Sequence, residues 1–419
     1  MDVQLILLAI SLILFFGFFA EFIFKKVGVP DVLFLIILGF SLGPFGFKLV
    51  DVADLQILAP VFTTFTLLFL LFDGAFNINL SSLLREFSES FKLTLFNFIL
   101  SSVIVMGVMV LVGLDWLPAL LVGFMLGGVS SSFVIPILKQ MGVGQRLYSL
   151  LTLESALTDV FCIVFSITVL EIIQFGSIGI RQVLTQLVSL FAIAGLVGII
   201  SGVIWIILTL KVFKIHNYMI TVAYVILIFV LTQFLGGNGA IATLFFGLML
   251  KNSKQLSSIT KGLLVTRAAD KKKAIAGDLG KSATTHSEEF FYHQLSFFLK
   301  TFFFVYIGIL FDISDIKALV VGIVLSFLLM GIRVSSLWLT KGMDPQGRGL
   351  VNTMFARGLA AAAIAGVALQ SGVPGAEFIV KVAYVTITGT IVLSSVKVFL
   401  LKKGITFMGN IGKWKDSSD

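Results

Sequence analysis

The sequence predicts an all-α polytopic membrane protein with 13 transmembrane helices, and three observations carry that prediction. Of the 419 residues, 58% are apolar and only 12% are charged, against about 25% charged in an ordinary soluble domain. The apolar residues fall in long runs. Val3 to Phe24 contains one acid, Glu21, and Val183 to Leu210 contains no charge; about 20 apolar residues span a bilayer. The basic residues are spread unevenly over the intervening loops. This composition excludes a disordered chain, a coiled coil, a disulfide scaffold and most soluble enzymes.

Taken in order, the apolar segments cover roughly 3–24, 30–47, 55–76, 92–113, 116–138, 147–175, 183–210, 216–235, 238–250, 291–311, 317–340, 349–371 and 376–401. The ninth is short, and the sixth and seventh are long enough to tilt. Loops after the odd-numbered segments, with the C-terminal tail, hold 22 of the 30 Lys and Arg residues. The even loops hold four: Lys48, Arg181, Lys317 and Lys381. Basic loops stay in the cytoplasm, so the expectation is a plasma-membrane protein with its N-terminus outside and its C-terminus inside. The same bias explains the net charge of +8 without a nucleic-acid partner. Met1-Asp2-Val3-Gln4 lacks a basic n-region, so the first segment is expected to be a span, not a cleaved signal.

The expected organisation is spans 1–9 over residues 1–250, a polar cytoplasmic loop over 251–290, spans 10–13 over 291–403, and a short cytoplasmic tail over 404–419. The fifth span contains Gly127-Gly128-Val129-Ser130-Ser131-Ser132-Phe133-Val134-Ile135-Pro136. That sequence reads as a helix broken at mid-membrane, which is tolerated where the backbone lines a cavity; a tight small-residue crossing is the alternative. The twelfth span has a comparable interruption at Arg357-Gly358-Leu359. The two lie seven spans apart, and an odd offset reverses orientation. This is the pattern of inverted repeats, the first over about 1–175, with a substrate site where the broken helices meet.

A charge at the bilayer centre costs about 2.5–3.5 kcal/mol, so the deep charges are the functional candidates: Asp73, Glu154, Asp159, Lys300, Arg333 and Arg357. Glu21, Glu171 and Lys397 lie near span ends and can snorkel. In the sixth span, Ser155 and Asp159 share a helix face, and Glu154 and Thr158 share the adjacent one. A carboxylate among hydroxyls suits Na⁺, with Ser130 and Ser131 of the broken span as further oxygen donors. Arg333 stands alone and reads as a partner for a backbone carbonyl or a lipid headgroup. Cys162 reads as a small core residue, and His216, His286 and His293 are too scattered for a metal cluster. His286 and His293 fall at the cytoplasmic mouth, where a histidine can sense pH. No cofactor is expected.

These residues resemble the monovalent cation:proton antiporter superfamily of the sodium/proton exchanger type, with features of the potassium-efflux branch. The resemblance rests on Phe72-Asp73-Gly74, Ser130-Ser131-Ser132, Glu154-Ser155-x-x-Thr158-Asp159, Phe302-Phe303-Phe304-Val305-Tyr306-Ile307-Gly308 and Ala356-Arg357-Gly358. It implies the sodium/proton antiporter fold, a homodimer and an elevator-like cycle. It also implies Asp159 as the residue that binds Na⁺ or a proton, and an Asp73–Arg357 salt bridge. Thr158 departs from the usual Asn or Asp, Asp73 is shorter than the usual Glu, and Lys300 stands where electrogenic members carry a base. With one acid at the site, electroneutral exchange of Na⁺ (or Li⁺) for H⁺ is expected: burial disfavours the charged form of a carboxylate, so proton and metal ion compete for one place. Glu154 would be a ligand or a support, and Lys300 a counter-charge. A K⁺/H⁺ antiporter or efflux system of the same fold is the alternative. A channel or receptor, or an intramembrane hydrolase, fits the residues less well.

Overall fold

The computed structural model describes residues 3–27, 31–50, 59–76, 80–175, 180–213, 218–256, 282–406 and 409–410. The described chain is almost entirely helical. Helices lie over every apolar segment read from the sequence: α1 (Val3–Val27), α2 (Asp31–Leu42), α3 (Ala59–Ala75), α4 (Leu80–Leu111), α5 (Trp116–Met125), α6 (Ser131–Gln140) and α7 (Gln145–Phe175). They continue as α8 (Ile180–Ile207), α9 (Tyr218–Phe234), α10 (Gly239–Lys251), α11 (His286–Ile309), α12 (Ile316–Val334), α13 (Ser336–Leu339), α14 (Pro345–Thr353), α15 (Leu359–Gln370) and α16 (Ala376–Lys402). One two-residue antiparallel bridge, Ile405–Thr406 with Gly409–Asn410, follows α16. Among the described residues five helical stretches are long and apolar enough to cross a membrane by themselves, and the shorter apolar helices include one half of each interrupted segment, Trp116–Met125 and Leu359–Gln370.

Helix starts follow the local chemistry. Asp315, Asp344 and Asn238 cap α12, α14 and α10 by accepting from the N–H groups of Ala318, Gly347 and Ile241 at 3.0, 2.9 and 3.1 Å. Such caps satisfy donors that the first helical turn leaves unpaired. Pro345 occupies the first position of α14, where a missing N–H costs nothing. The expected loop over 251–290 is shorter than the sequence suggests: α11 begins at His286, where Thr285 and Glu288 close a reciprocal capping box. Residues 257–281, and 407–408 and 411–419 of the expected tail, lie outside the described residues.

The chain divides into two compact units. The first comprises Met1–Thr64, Glu86–Gly176 and Phe298–Asp419. In it α5 packs on α7, and α12 runs along α16. The second comprises Phe65–Arg85 and Ser177–Phe297, with α8 against α10. Its core includes a cluster of Phe69, Phe72, Phe76, Phe246 and Tyr292. Large apolar side chains such as Phe15, Phe18, Leu196, Phe234 and Phe327 are exposed in both. That is how a chain looks when its solvent is lipid.

Candidate functional site

Two interrupted helices meet in the first unit. α5 ends at Met125, the chain is turn and irregular through 126–130, and α6 begins at Ser131. Likewise α14 ends at Thr353, 354–358 are irregular, and α15 begins at Leu359. Both breaks are fully buried. Buried backbone groups must find partners, and here each break supplies them to the other. The N–H of Ser130 donates to the carbonyl of Ala356 at 2.9 Å. Gly358 makes this approach possible, since a Cβ there would collide with the Ser130 side chain. A Cβ on Gly128 would lie 2.5 Å from Cys162 Sγ and 2.8 Å from the Thr158 carbonyl oxygen.

The third wall is α7. Its four candidate residues have distinct surroundings. Asp159 Oδ2 accepts from the Ser131 hydroxyl at 2.5 Å and the Ser131 N–H at 3.3 Å. The carboxylate thus faces the N-terminus of α6, the positive end of that half-helix. One turn earlier Ser155 lies buried, its hydroxyl donating to the Thr152 carbonyl at 3.0 Å. The Thr158 hydroxyl accepts from the Val129 N–H at 3.0 Å and lies 3.1 Å from the Val129 carbonyl. It therefore clamps the first break, as a neighbouring backbone strand would. Ser130 is buried directly beside both breaks.

Glu154 does not stand open as a ligand. Its carboxylate is bound in a bidentate pair by Arg333, with Nη2 2.8 Å from Oε2, and accepts from Asn97 Nδ2 at 3.1 Å. Both members of the pair are 2% exposed. Arg333 also donates through Nε to the Val351 carbonyl at 2.8 Å, at the C-terminal end of α14. The carbonyl partner expected of Arg333 is present, but its main partner is an acid 179 positions away. Asn97 and Ser101, which sequence reasoning passed over, carry a faint signal: with Ser90 and Thr94 they form a polar stripe at helical spacing on an apolar helix.

Asp73 and Arg357, which the family resemblance implies as a pair, fall in different units, and each has partners within its own. Arg357 donates through Nη1 to the Gly128 carbonyl and through Nη2 to Ser101 Oγ at 3.1 Å, and its backbone N–H donates to Thr390 Oγ1 at 3.0 Å. The guanidinium sits where α5 ends and its carbonyls need donors. In the second unit, Asp73 Oδ1 lies 2.5 Å from Nδ1 of His293. Lys300, the expected counter-charge, is half-buried on α11. Arg357→Ala should cost about 1–3 kcal/mol for each polar group it orphans. Asp73→Asn should stay within about 1 kcal/mol, since its partner is 46% exposed. Thermal unfolding of both variants in detergent checks this, and equal losses would restore the expected bridge.

Broken helices meeting beside a part-buried carboxylate, on an apolar chain almost entirely helical where described, are the pattern of secondary membrane transporters. The chain belongs to the sodium/hydrogen exchanger, transmembrane family, whose model matches residues 10–403; this is a family of transporters, not enzymes. It is similar to the K(+)/H(+) antiporter NhaP2 of Shewanella oneidensis, at 23% identity over 86% of this chain and 60% of that protein. It is also similar to the Na(+)/H(+) antiporter ApNhaP of Aphanothece halophytica, at 28% identity over 54% of this chain and 43% of that protein. The chain thus spans about 60% or less of the length of these relatives. In three dimensions it resembles the sodium proton antiporter MjNhaP1 of Methanocaldococcus jannaschii, with TM-score 0.70 and 20% identity over 96% of this chain and 97% of that one.

Proposed function

We propose that this chain is a secondary active antiporter exchanging Na⁺, or Li⁺, for H⁺, electroneutrally, at one carboxylate with elevator-type alternating access. The observation that carries the reading is Asp159, whose carboxylate meets Ser131 at the head of α6 beside two crossed breaks. Na⁺ or a proton each cancels the single negative charge, and they compete for it. A cancelled site moves through a low-dielectric barrier more cheaply than a charged one, and that difference couples the two flows. Ser130, Ser131 and Ser155 supply neutral oxygens nearby. Thr158 and Glu154 support the site from behind, because their polar atoms are engaged by Val129 and Arg333. The working unit is proposed as a homodimer in the plasma membrane, N-terminus outside and C-terminus in the cytoplasm.

A second reading, K⁺/H⁺ exchange, is favoured by the potassium relatives of the same family. The full chain in proteoliposomes with an imposed pH gradient separates the two: dequenching by Na⁺ and Li⁺ but not K⁺ is expected. Response to K⁺ alone would move the assignment to the second reading. Turnover that depends on membrane potential would overturn electroneutrality.

A further inference from the structure

Lys397 is a half-buried base that the exchange reading leaves unused. The sequence places it near a span end, where it could snorkel. Instead its Nζ turns inward, 3.0 Å from the Asn352 carbonyl and 3.3 Å from Asn352 Oδ1, and 5.2 Å from the centre of the Phe355 ring. Its partners among the described residues are a carbonyl, an amide oxygen and an aromatic face, and none of these is an acid. Asn352 closes the C-terminal end of α14, where unpaired carbonyls make a negative pole that a cation stabilises.

The rest of that face of α16 points the same way. Thr390, Ser394 and Lys397 follow at intervals of four and three and so line one side of the helix. Thr390 holds the chain where it leaves the second break, by accepting from the Arg357 N–H. Lys397 holds it where it enters. Ser394 between them is fully buried, and its hydroxyl has no hydrogen-bond partner among the described residues. α16 therefore acts as a rail to which both ends of the break are tied. The break in turn offers the Ala356 carbonyl to Ser130, and the next residue, Ser131, is the one that grips Asp159.

We propose that Lys397 is a positioning residue for the cation site, acting through the second break and not by contact with the ion. This rests on the cation/proton exchange reading. It predicts a change in apparent affinity where a residue needed only for folding would change yield and turnover.

The test is Na⁺-driven proton flux of the full chain in proteoliposomes, with K⁺ as the probe if only K⁺ drives the wild type. Lys397→Met should raise the apparent KM about tenfold, the worth of one hydrogen bond to a charged group. Vmax per reconstituted protein should stay within about twofold, and Lys397→Arg should restore KM to within about twofold. Thr390→Val, at the other tie, should raise KM in the same direction and decides the matter if Lys397→Met fails to fold. In parallel, the Na⁺ concentration that half-stabilises the protein against thermal unfolding in detergent should shift by the same factor. That measurement judges Lys397 even if the wild type moves no protons, an outcome that would overturn the exchange reading alone. Unchanged KM and unchanged Na⁺ midpoint in folded variants would overturn the role of Lys397. So would equal impairment of the Met and Arg variants.

Discussion

Asp159→Asn is expected to abolish cation-driven proton flux while leaving the fold in place. The amide is nearly isosteric with the carboxylate, and its oxygen can still accept from the Ser131 hydroxyl, so the packing of α7 against α6 survives. What disappears is the charge that a metal ion and a proton share. The expected loss is complete, because exchange requires one group able to hold either cargo, and a neutral amide releases no proton in the working pH range. Proteoliposomes read the flux and size-exclusion chromatography reads the fold. Surviving antiport would place the site elsewhere, with the buried Glu154 the next candidate. Loss of both fold and flux would show instead that the charge braces the helix N-terminus it faces.

The second large effect is expected at Glu154 and Arg333. Both side chains are 2% exposed and bonded to each other through two contacts. Removing one partner strands the other charge away from water, at about 3–5 kcal/mol. Arg333→Met should therefore lower thermal stability sharply, and Glu154→Leu should do so somewhat less. The double variant should recover most of the loss, since well-packed apolar residues often replace a buried ion pair at little cost. A double-variant cycle by thermal unfolding in detergent measures this coupling. If the two losses simply add, the pair is not the unit holding α7 to α12. Arg333 has a second attachment, the Val351 carbonyl, so its single variant is expected to be the worse of the two.

How much of this could be read from the chain depends on the range of the interaction. The helices announce themselves by apolar length, and the breaks by Gly127-Gly128 and Arg357-Gly358, because both are local properties of the sequence. The spacing of Glu154, Ser155, Thr158 and Asp159 puts four polar residues on two adjoining faces of one helix, and helical periodicity is enough to see it. Which of those faces meets the broken helix is a different matter. Thr158 looks like an ion ligand by spacing, but its hydroxyl is engaged by Val129. Glu154 looks equally available, but a residue 179 positions later is bound to it. Periodicity says that a deep charge needs a partner and does not say which. Arg333, in a span with no motif around it, offered no local sign that its partner was an acid. Arg357 illustrates the converse. A family pattern implies an acid, and within its own unit the guanidinium meets a need for donors at the end of a half-helix.

The contact between the two breaks also bears on how the protein is made. Arg357 reaches the carbonyl of Gly128 across 229 positions of chain, and Ser130 reaches Ala356 across nearly as many. At roughly 5–20 residues per second of synthesis, the first interrupted helix waits on the order of 10–50 seconds for the second. Throughout that interval its irregular backbone is in or near the bilayer without the carbonyl and guanidinium that will satisfy it. The clamp from Thr158 arrives much sooner, since α7 follows immediately in the chain. Thr158 is thus the early partner, able to keep the unwound segment from rewinding or aggregating until the second half of the chain emerges. The candidate site is then completed only after the second half of the chain has been made.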